Sequence, residues 1–441
     1  MFKTIKNAIK TPETRKKLLY TLLLLVIFRL GCYITIPNVN IVELKDTMAS
    51  MTNSVTGMIN MLSGGAFSRL SVFAMSITPY ITASIVVQLL GMVIPALERL
   101  TKEGGEAGRR KIDRITKLIT LALALVEGLG IYFSYKSSGI FVDNSFLGGF
   151  VVVLSLVAGT SLLMWLGDKI TSKGVGNGIS MLIFAGIVSG IPSALTSVFA
   201  NVAPNGEFST AGLVTAILIL LGVLLLVVGV IYVQLGERRI PVQYSKKVVG
   251  RKMVGAQNTH IPIKPAMASV MPIIFASSFM TFPAMLIELF VSDIENKEGF
   301  LRIIYNLSIA TSSTAPGWTY TILNAVIYLL LIIAFTYFYT YATFNPAEVA
   351  NNIKQNGGFI PGIRAGKPTA DYLSSVLSKV VLFGGIFLAV VAIIPMFARA
   401  TGFNTAFAGT SILIVVGVAI ELAQQLQSLL VMRHYKGFLE K

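Results

Sequence analysis

The stretch GMINMLSGGAFSRLSVFAMSITPYITASIVVQLL, residues 57–90, decides the fold. It opens with a short apolar piece, residues 58–62, that is too brief to cross a bilayer and is interrupted by Ser63-Gly64-Gly65. A longer apolar segment follows, carrying Pro79 and Gln88. Irregular backbone at membrane depth is tolerated only where protein or a water-filled cavity surrounds it. The stretch therefore predicts the lining of a passage with a small movable piece in front of it.

The composition indicates a polytopic membrane protein. Apolar residues make up 54% of the 441 positions and charged residues 13%, and the mean hydropathy is +0.76. A soluble domain carries roughly 25% charged residues. The single cysteine, Cys32, excludes an intrachain disulfide, and the two histidines lie far apart in the sequence. We therefore expect no metal site and no cofactor.

Ten apolar segments are long enough to span a bilayer, which takes about 20 residues each. The first follows a basic segment, residues 1–17, and is too long for a signal peptide. We expect an all-α polytopic membrane protein with ten transmembrane helices and no separate soluble domain. The predicted spans are residues 18–36, 71–94, 115–135, 147–167, 179–199, 212–235, 267–290, 319–342, 376–396 and 406–430.

The distribution of basic residues predicts the orientation. With a cytoplasmic N-terminus, 29 of the 36 lysines and arginines fall on the cytoplasmic side and six on the other. Both termini, including the tail 431–441, are therefore expected in the cytoplasm. The net charge of +16 is then concentrated on one face, where it attracts anionic lipids.

The ten spans divide into an N-terminal half, residues 18–199, and a C-terminal half, residues 212–430. Because each half has an odd number of spans, the two halves would be inverted, with a passage at their interface, as in many transporters. Arg29 lies toward the outer end of its span, where such a side chain can snorkel to the interface. Glu127 lies deep in the third span, and it marks either an ion pathway or a contact with a neighbouring helix or a wet cavity.

Two predicted cytoplasmic loops, residues 236–266 and 344–375, are long, basic and rich in Pro and Gly. Pro and Gly at this density favour fixed turns, so Arg364 is expected at a shaped tip. Cationic loops suit an anionic partner such as ribosomal RNA or an acidic protein surface. The alternative is the ordinary basicity of a cytoplasmic face. The basic residues concerned are Arg238, Arg239, Lys246, Lys247, Arg251, Lys252 and Arg364.

Two pairs of isoleucines recur at helical spacing inside the spans. Ile81 and Ile85 lie four residues apart on one face of the second span, and Ile183 and Ile187 do the same in the fifth. By spacing alone, such pairs are typical of a lipid-facing or core surface.

Several long stretches resemble the SecY family, in the family's order and over essentially the whole chain. They are NMLSGGAFSRLSVFAMSITPYITASIVVQLL (60–90), KEGGEAGRRKIDR (102–114), GVGNGISMLIFAGIVSGIP (174–192), ERRIPVQYSKKVVGRK (237–252), PIIFASSF (272–279), FNPAEVANNIKQNGGFIPGIRAGKPT (344–369) and GTSILIVVGVAIE (409–421). Pro241 and Glu127 depart from the family's pattern.

This resemblance implies an hourglass pore between the halves, with three kinds of site. A ring of apolar side chains at the waist corresponds to Ile81, Ile85, Ile183, Ile187, Ile274 and Ile414. A plug, about residues 58–70, includes Met58, Ile59, Met61, Leu62, Gly64, Gly65, Phe67 and Arg69. A lateral gate has spans two and three on one side and spans seven and eight on the other. It contains Gln88, Ser277 and Ser278.

The resemblance also implies a function and partners. The chain would be a protein-conducting channel in the bacterial cytoplasmic membrane, passing unfolded polypeptides across and releasing signal peptides and transmembrane segments into lipid. Its expected partners are small membrane subunits resembling SecE and SecG, a motor ATPase resembling SecA, and the ribosome. Arg364 matches the loop arginine that the motor and ribosome require in the family.

Two other classes of protein are alternatives to a channel. A secondary solute transporter would need substrate ligands and a coupling-ion site. A membrane-embedded enzyme would need a catalytic constellation such as paired aspartates or HExxH, and neither is present in the spans. We expect no catalytic residues, and no nucleotide-binding motif is present, so the driving energy must come from another protein.

Overall fold

The computed structural model describes residues 10–44, 60, 63–102, 104–200, 202, 209–244, 247–249, 252–254, 258–267, 270–290, 299–309, 318–400 and 409–439. These residues form mainly helices. In chain order, the helices are α1 (Pro12–Gly31), α2 (Thr78–Val93), α3 (Pro95–Lys102), α4 (Gly105–Tyr135), α5 (Phe146–Lys173), α6 (Gly178–Ala200), α7 (Thr210–Leu235), α8 (Met271–Phe290), α9 (Phe300–Ile309), α10 (Trp318–Thr343), α11 (Pro346–Gln355), α12 (Lys367–Ala400) and α13 (Gly409–Leu439).

Each of the ten predicted spans corresponds to a helix: α1, α2, α4 to α8, α10, α12 and α13. By length and composition, seven of the described helices can cross a membrane: α4 to α7, α10 continued by α11, α12 and α13. The apolar parts of α2 and α8 are shorter, at Thr78–Gly91 and Met271–Ala284. The α1 helix begins with a charged turn that contains Glu13. The expectation of an all-α polytopic membrane protein is confirmed.

Two predicted spans have wrong boundaries. The apolar run 18–36 stays helical only to Gly31, and the run 71–94 becomes helical only at Thr78, next to Pro79. The intervening segments pair with each other: the Ile36 amide donates to the Leu70 carbonyl at 3.0 Å, and the Val72 amide donates to the Ile34 carbonyl at 2.9 Å. This short bridge satisfies backbone groups that a helix would otherwise have satisfied.

Other helices extend beyond the predicted spans. The α4 helix begins at Gly105, ten residues before the predicted start, and α5 continues to Lys173. An ion cluster joins these extensions, because Lys117 Nζ lies 2.8 Å from Asp113 and 2.6 Å from Asp168. The polar ends therefore hold α4 and α5 together beyond their apolar parts.

The long loops contain strands that the sequence analysis did not predict. They are β1 (Arg238–Tyr244), β2 (Lys247–Val249), β3 (Lys252–Val254), β4 (Asn258–Ile263) and β5 (Gly358–Phe359). A three-stranded sheet has the order β4-β1-β5, so it joins the loop after α7 to the loop after α11. Ile240, Val242 and Ile263 pack there with residues of α11 and α12.

The unexpected Pro241 lies in β1 opposite His260 of β4. On its other edge β1 pairs with β5 only at Gln243 and Tyr244. A proline cannot donate a ladder hydrogen bond, so it is tolerated where one edge of its strand is open.

Candidate functional site

The six isoleucines of the predicted ring come from four helices. Ile81 and Ile85 lie on α2, Ile183 and Ile187 on α6, Ile274 on α8 and Ile414 on α13. All six belong to one hydrophobic cluster, in which Ile81 is partly buried and the other five are buried. The structure therefore brings together residues from both halves of the chain.

Two cavities touch these isoleucines. One, of about 670 Å³, is lined by Ile81, Ile183 and Ile274 together with polar and aromatic side chains. The other, of about 40 Å³, is lined by the same three isoleucines and by Ile414. Ile81, Ile183 and Ile274 line both cavities, so they lie at an apolar boundary between the two, here called the constriction. Ile85 and Ile187 line neither of these two cavities. They pack in the hydrophobic cluster behind the constriction.

The larger cavity has a charged wall. Lys117 binds Asp113 and Asp168 there, and Lys169 lies with its Nζ 5.6 Å from the centre of the Trp165 ring. The smaller cavity has a rim of hydroxyl groups from Ser76, Thr78, Ser277, Ser278 and Thr281. The apolar constriction therefore has a cavity with a charged wall on one side and a small, mainly apolar cavity with several hydroxyl groups on the other.

The predicted plug is described only from Ser63 onward, apart from Asn60; Met58, Ile59, Met61 and Leu62 lie outside the described residues. Gly64 and Gly65 have φ angles of 65° and 84°, in the left-handed region that favours glycine. A short 3-10 helix, Phe67–Arg69, follows them, and Phe67 is buried. The segment is thus compact and non-helical at the Gly-Gly break.

This segment fits closely between α1 and α6. A Cβ atom on Gly64 would lie 2.6 Å from the Ser189 hydroxyl oxygen and 2.9 Å from the Gly186 carbonyl oxygen. On the other side, Arg29 donates a hydrogen bond from Nη1 to the Gly64 carbonyl. The position of Arg29 in its span predicts snorkelling to the interface, and no sequence signal links Arg29 to Gly64, 35 residues away.

The three predicted gate residues lie on α2 and α8. Gln88 Nε2 donates to Ser84 Oγ at 3.1 Å, within α2. Ser277 donates to the Ile274 carbonyl at 2.9 Å, and both Ser277 and Ser278 line the smaller cavity. The serines therefore lie at the constriction, and the role of all three residues as a gate stays a prediction.

Of the predicted docking residues, Arg238, Arg239 and Arg364 are exposed. The Thr369 hydroxyl donates to the Arg364 carbonyl at 2.8 Å, which fixes the backbone of that loop. Arg239 contacts Glu237 at 2.6 Å and lowers the pKa of that carboxyl group by hydrogen bonding. Lys247 and Lys252 begin the short strands β2 and β3, while Lys246 and Arg251 lie outside the described residues.

Glu127 is buried on α4, with only 5% of its surface exposed. Its Oε1 atom has no hydrogen-bond partner among the described residues. Glu127 lines neither of the two cavities at the constriction. Glu127 therefore lies apart from the constriction, and its role stays a prediction. Within the described ranges, no group of three or more His, Cys, Asp or Glu side chains is placed to hold a metal ion.

The fold is shared with solved structures of protein-conducting channels. A solved structure described as that of a protein-conducting channel has a TM-score of 0.66 and 20% identity, over 96% of both chains. The Sec61 structure from a canine ribosome-channel complex of the endoplasmic reticulum has a TM-score of 0.61 and 19% identity, also over 96% of both chains. The chain therefore has the fold of a multi-pass helical membrane protein.

The family follows from sequence similarity. The family model of SecY matches residues 71–423. The protein translocase subunit SecY of Streptomyces coelicolor is 41% identical over 456 aligned residues, and that of Bacillus subtilis 40% over 449, each covering the whole of both chains. The chain belongs to the SecY family. This membership confirms the resemblance and supports the protein-conducting channel over the secondary transporter.

Proposed function

We propose that this chain is the channel subunit through which unfolded polypeptides cross a bacterial cytoplasmic membrane, with both termini in the cytoplasm. The observation that carries the proposal is the isoleucine constriction between two cavities. A narrow apolar constriction dewets when it is closed and so opposes ion flow. The same side chains accommodate any passing side chain, because dispersion contacts have no preferred direction.

The proposed route has a seal and a side exit. The halves 18–199 and 212–430 surround the pore, and the plug 58–70 closes it at rest. Signal peptides and transmembrane segments leave between α2 and α8, past Gln88, Ser277 and Ser278. Their apolar side chains favour lipid by roughly 0.8 kcal/mol per buried CH₂ group.

The proposed docking surface is cytoplasmic and cationic. Exposed Arg238 and Arg239 support it on one loop, as does exposed Arg364 on the other, and the β4-β1-β5 sheet connects the two loops. A motor ATPase resembling SecA, or the ribosome, would bind there through carboxylate or phosphate groups. Apolar side chains on the outer faces of α1 and α7, such as Leu22 and Leu218, would meet lipid or small subunits resembling SecE and SecG.

Site-specific crosslinking tests the route. In a Cys32→Ser background, a polypeptide stalled in transit should crosslink to Ile81→Cys, Ile183→Cys, Ile274→Cys and Ile414→Cys, the ring positions that line the cavities. The control is Leu218→Cys, because Leu218 is 57% exposed on the outward face of α7. Equal crosslinking at position 218 and at the ring positions would contradict a central polypeptide pathway.

A further inference from the structure

We propose that Arg29, Tyr33 and Arg69 form a latch, here called the arginine latch, which holds segment 63–70 in its closed position. The inference rests on the proposed role of that segment as part of a plug, and it adds the contact that regulates release. Arg29 lies in the last turn of α1 and Tyr33 lies two residues beyond its end, whereas Arg69 belongs to the segment itself. The latch therefore connects a transmembrane helix to the closing segment.

The first contact of the latch is a charge-assisted hydrogen bond. Arg29 Nη1 donates to the Gly64 carbonyl at 2.5 Å, and Arg29 Nη2 lies 3.4 Å from the Tyr33 hydroxyl oxygen. Such bonds are stronger than those between neutral groups. This contact holds the Gly-Gly break of the segment against α1.

The second contact holds the other end of the segment. The Arg69 guanidinium carbon lies 4.2 Å from the centre of the Tyr33 ring, and that of Arg29 lies 5.1 Å from the same centre. An aromatic ring attracts cations at its face through its quadrupole. Tyr33 therefore binds the guanidinium group that the segment carries.

Two features make this latch reversible. Two like charges share one ring, and no ion pair found among the described residues involves either arginine. In addition, Arg69 Nη1 is buried without a hydrogen-bond partner in the described part of the chain. A buried donor without a partner is unfavourable relative to a hydrated one. Departure of the segment would separate the charges and hydrate Arg69, so the latch resists opening without preventing it.

The chain contains a natural reporter of this motion. Cys32, its single cysteine, is fully buried, and its Sγ atom lies 3.9 Å from the Ser63 carbonyl oxygen. Removal of segment 63–70 would uncover this thiol. The rate of Cys32 alkylation by N-ethylmaleimide therefore measures how often the segment leaves.

The test uses the full-length chain with its partner subunits in membrane vesicles, without a translocating substrate. Tyr33→Leu should raise the alkylation rate about threefold, because it removes the ring contact with Arg69. Arg29→Gln should raise the rate about tenfold, because it removes the charge-assisted hydrogen bond to Gly64. Tyr33 is 55% exposed, so its replacement by leucine disturbs little packing. Tyr33→Phe keeps the ring and should remain close to the wild-type rate.

The matched control removes a similar contact elsewhere. Lys136 lies with its Nζ 5.7 Å from the centre of the Tyr132 ring, so Lys136→Gln deletes a cation–π contact that does not involve the segment.

Unchanged alkylation in Tyr33→Leu and Arg29→Gln would overturn the latch. If alkylation rises but resting ion conductance does not, the latch stands and the plug role fails. If deletion of 58–70 raises conductance while both latch variants leave alkylation unchanged, the plug role stands and the latch fails.

Discussion

The carbonyl oxygen of Val72 lies 1.7 Å from the point where a Cβ atom would stand on Gly159. The α5 helix therefore touches backbone directly at the segment that leads into α2. Only glycine permits this approach, because any Cβ atom would overlap the carbonyl group. The contact positions the start of α2, which carries Ile81.

Gly159→Ala should therefore destabilise the protein by about 1–3 kcal/mol, as overpacking in a dense interior does. Thermal unfolding in detergent measures the change. Gly222→Ala in α7 is the matched control, since a Cβ atom there meets nothing within 4 Å and alanine is the better helix former. Equal losses of stability in the two variants would show that the Val72 contact is unimportant.

Ile81→Asn or Ile414→Asn should raise resting ion leak and let substrates with defective signal peptides pass. An amide at a constriction between two cavities can meet water, so it wets the seal without being left unpaired. Conductance of reconstituted channels measures the leak, with Leu218→Asn on the outward face of α7 as the control. In an ordinary core the same amide would cost about 1–3 kcal/mol and lower the yield of folded protein. Loss of folding without leak would therefore refute the ring.

Deletion of residues 58–70 should leave an assembled protein that still translocates but conducts ions at rest. The reason is that the segment fills space between α1 and α6, while α1 also packs directly against α5 and α6, so the helices keep contacts with one another without the segment. Planar-bilayer recordings and assembly in detergent check both parts. Unchanged conductance, or failure to assemble, would indicate a structural wedge in place of a plug.

Arg364→Glu should abolish ATP-driven translocation while the protein still inserts and retains its small subunits. Arg364 is exposed in a loop with a fixed backbone, so its loss removes a bidentate contact to carboxylate or phosphate without disturbing the fold. Translocation into inverted vesicles measures the effect. Lys367→Glu makes the same charge change at a nearby exposed position. Equal defects in both variants would point to general electrostatics and not to a specific contact.

The sequence predicted the helices better than the connections between them. Long apolar runs identify membrane helices because the bilayer imposes their length. Runs such as 18–36 gave wrong helix ends because apolar character does not reveal the pairing of Ile36 with Leu70. The strands after α7 were missed because β2 and β3 have only three residues each, β1 contains Pro241, and the pairing of β1 with β5 joins residues more than 100 positions apart.

The candidate site was predictable only in part for a similar reason. Helical spacing places Ile81 beside Ile85, but it cannot show that Ile274 and Ile414 come to the same place from distant helices. That convergence was expected from family resemblance alone. The contact of Arg29 with Gly64 had no signal at all, because a backbone carbonyl acceptor leaves no residue-type preference in the sequence.

The β4-β1-β5 sheet joins the two long loops, so the proposed docking surface would be bivalent. A partner bound at Arg238 would meet the loop of Arg364 in a position restrained by the pairing of Gln243 with Phe359. Its second contact is then intramolecular, and the effective local concentration that governs it is set by a rigid sheet in place of two loose chains. Two individually weak contacts can in this way give lasting attachment, and releasing either one alone allows rapid rebinding.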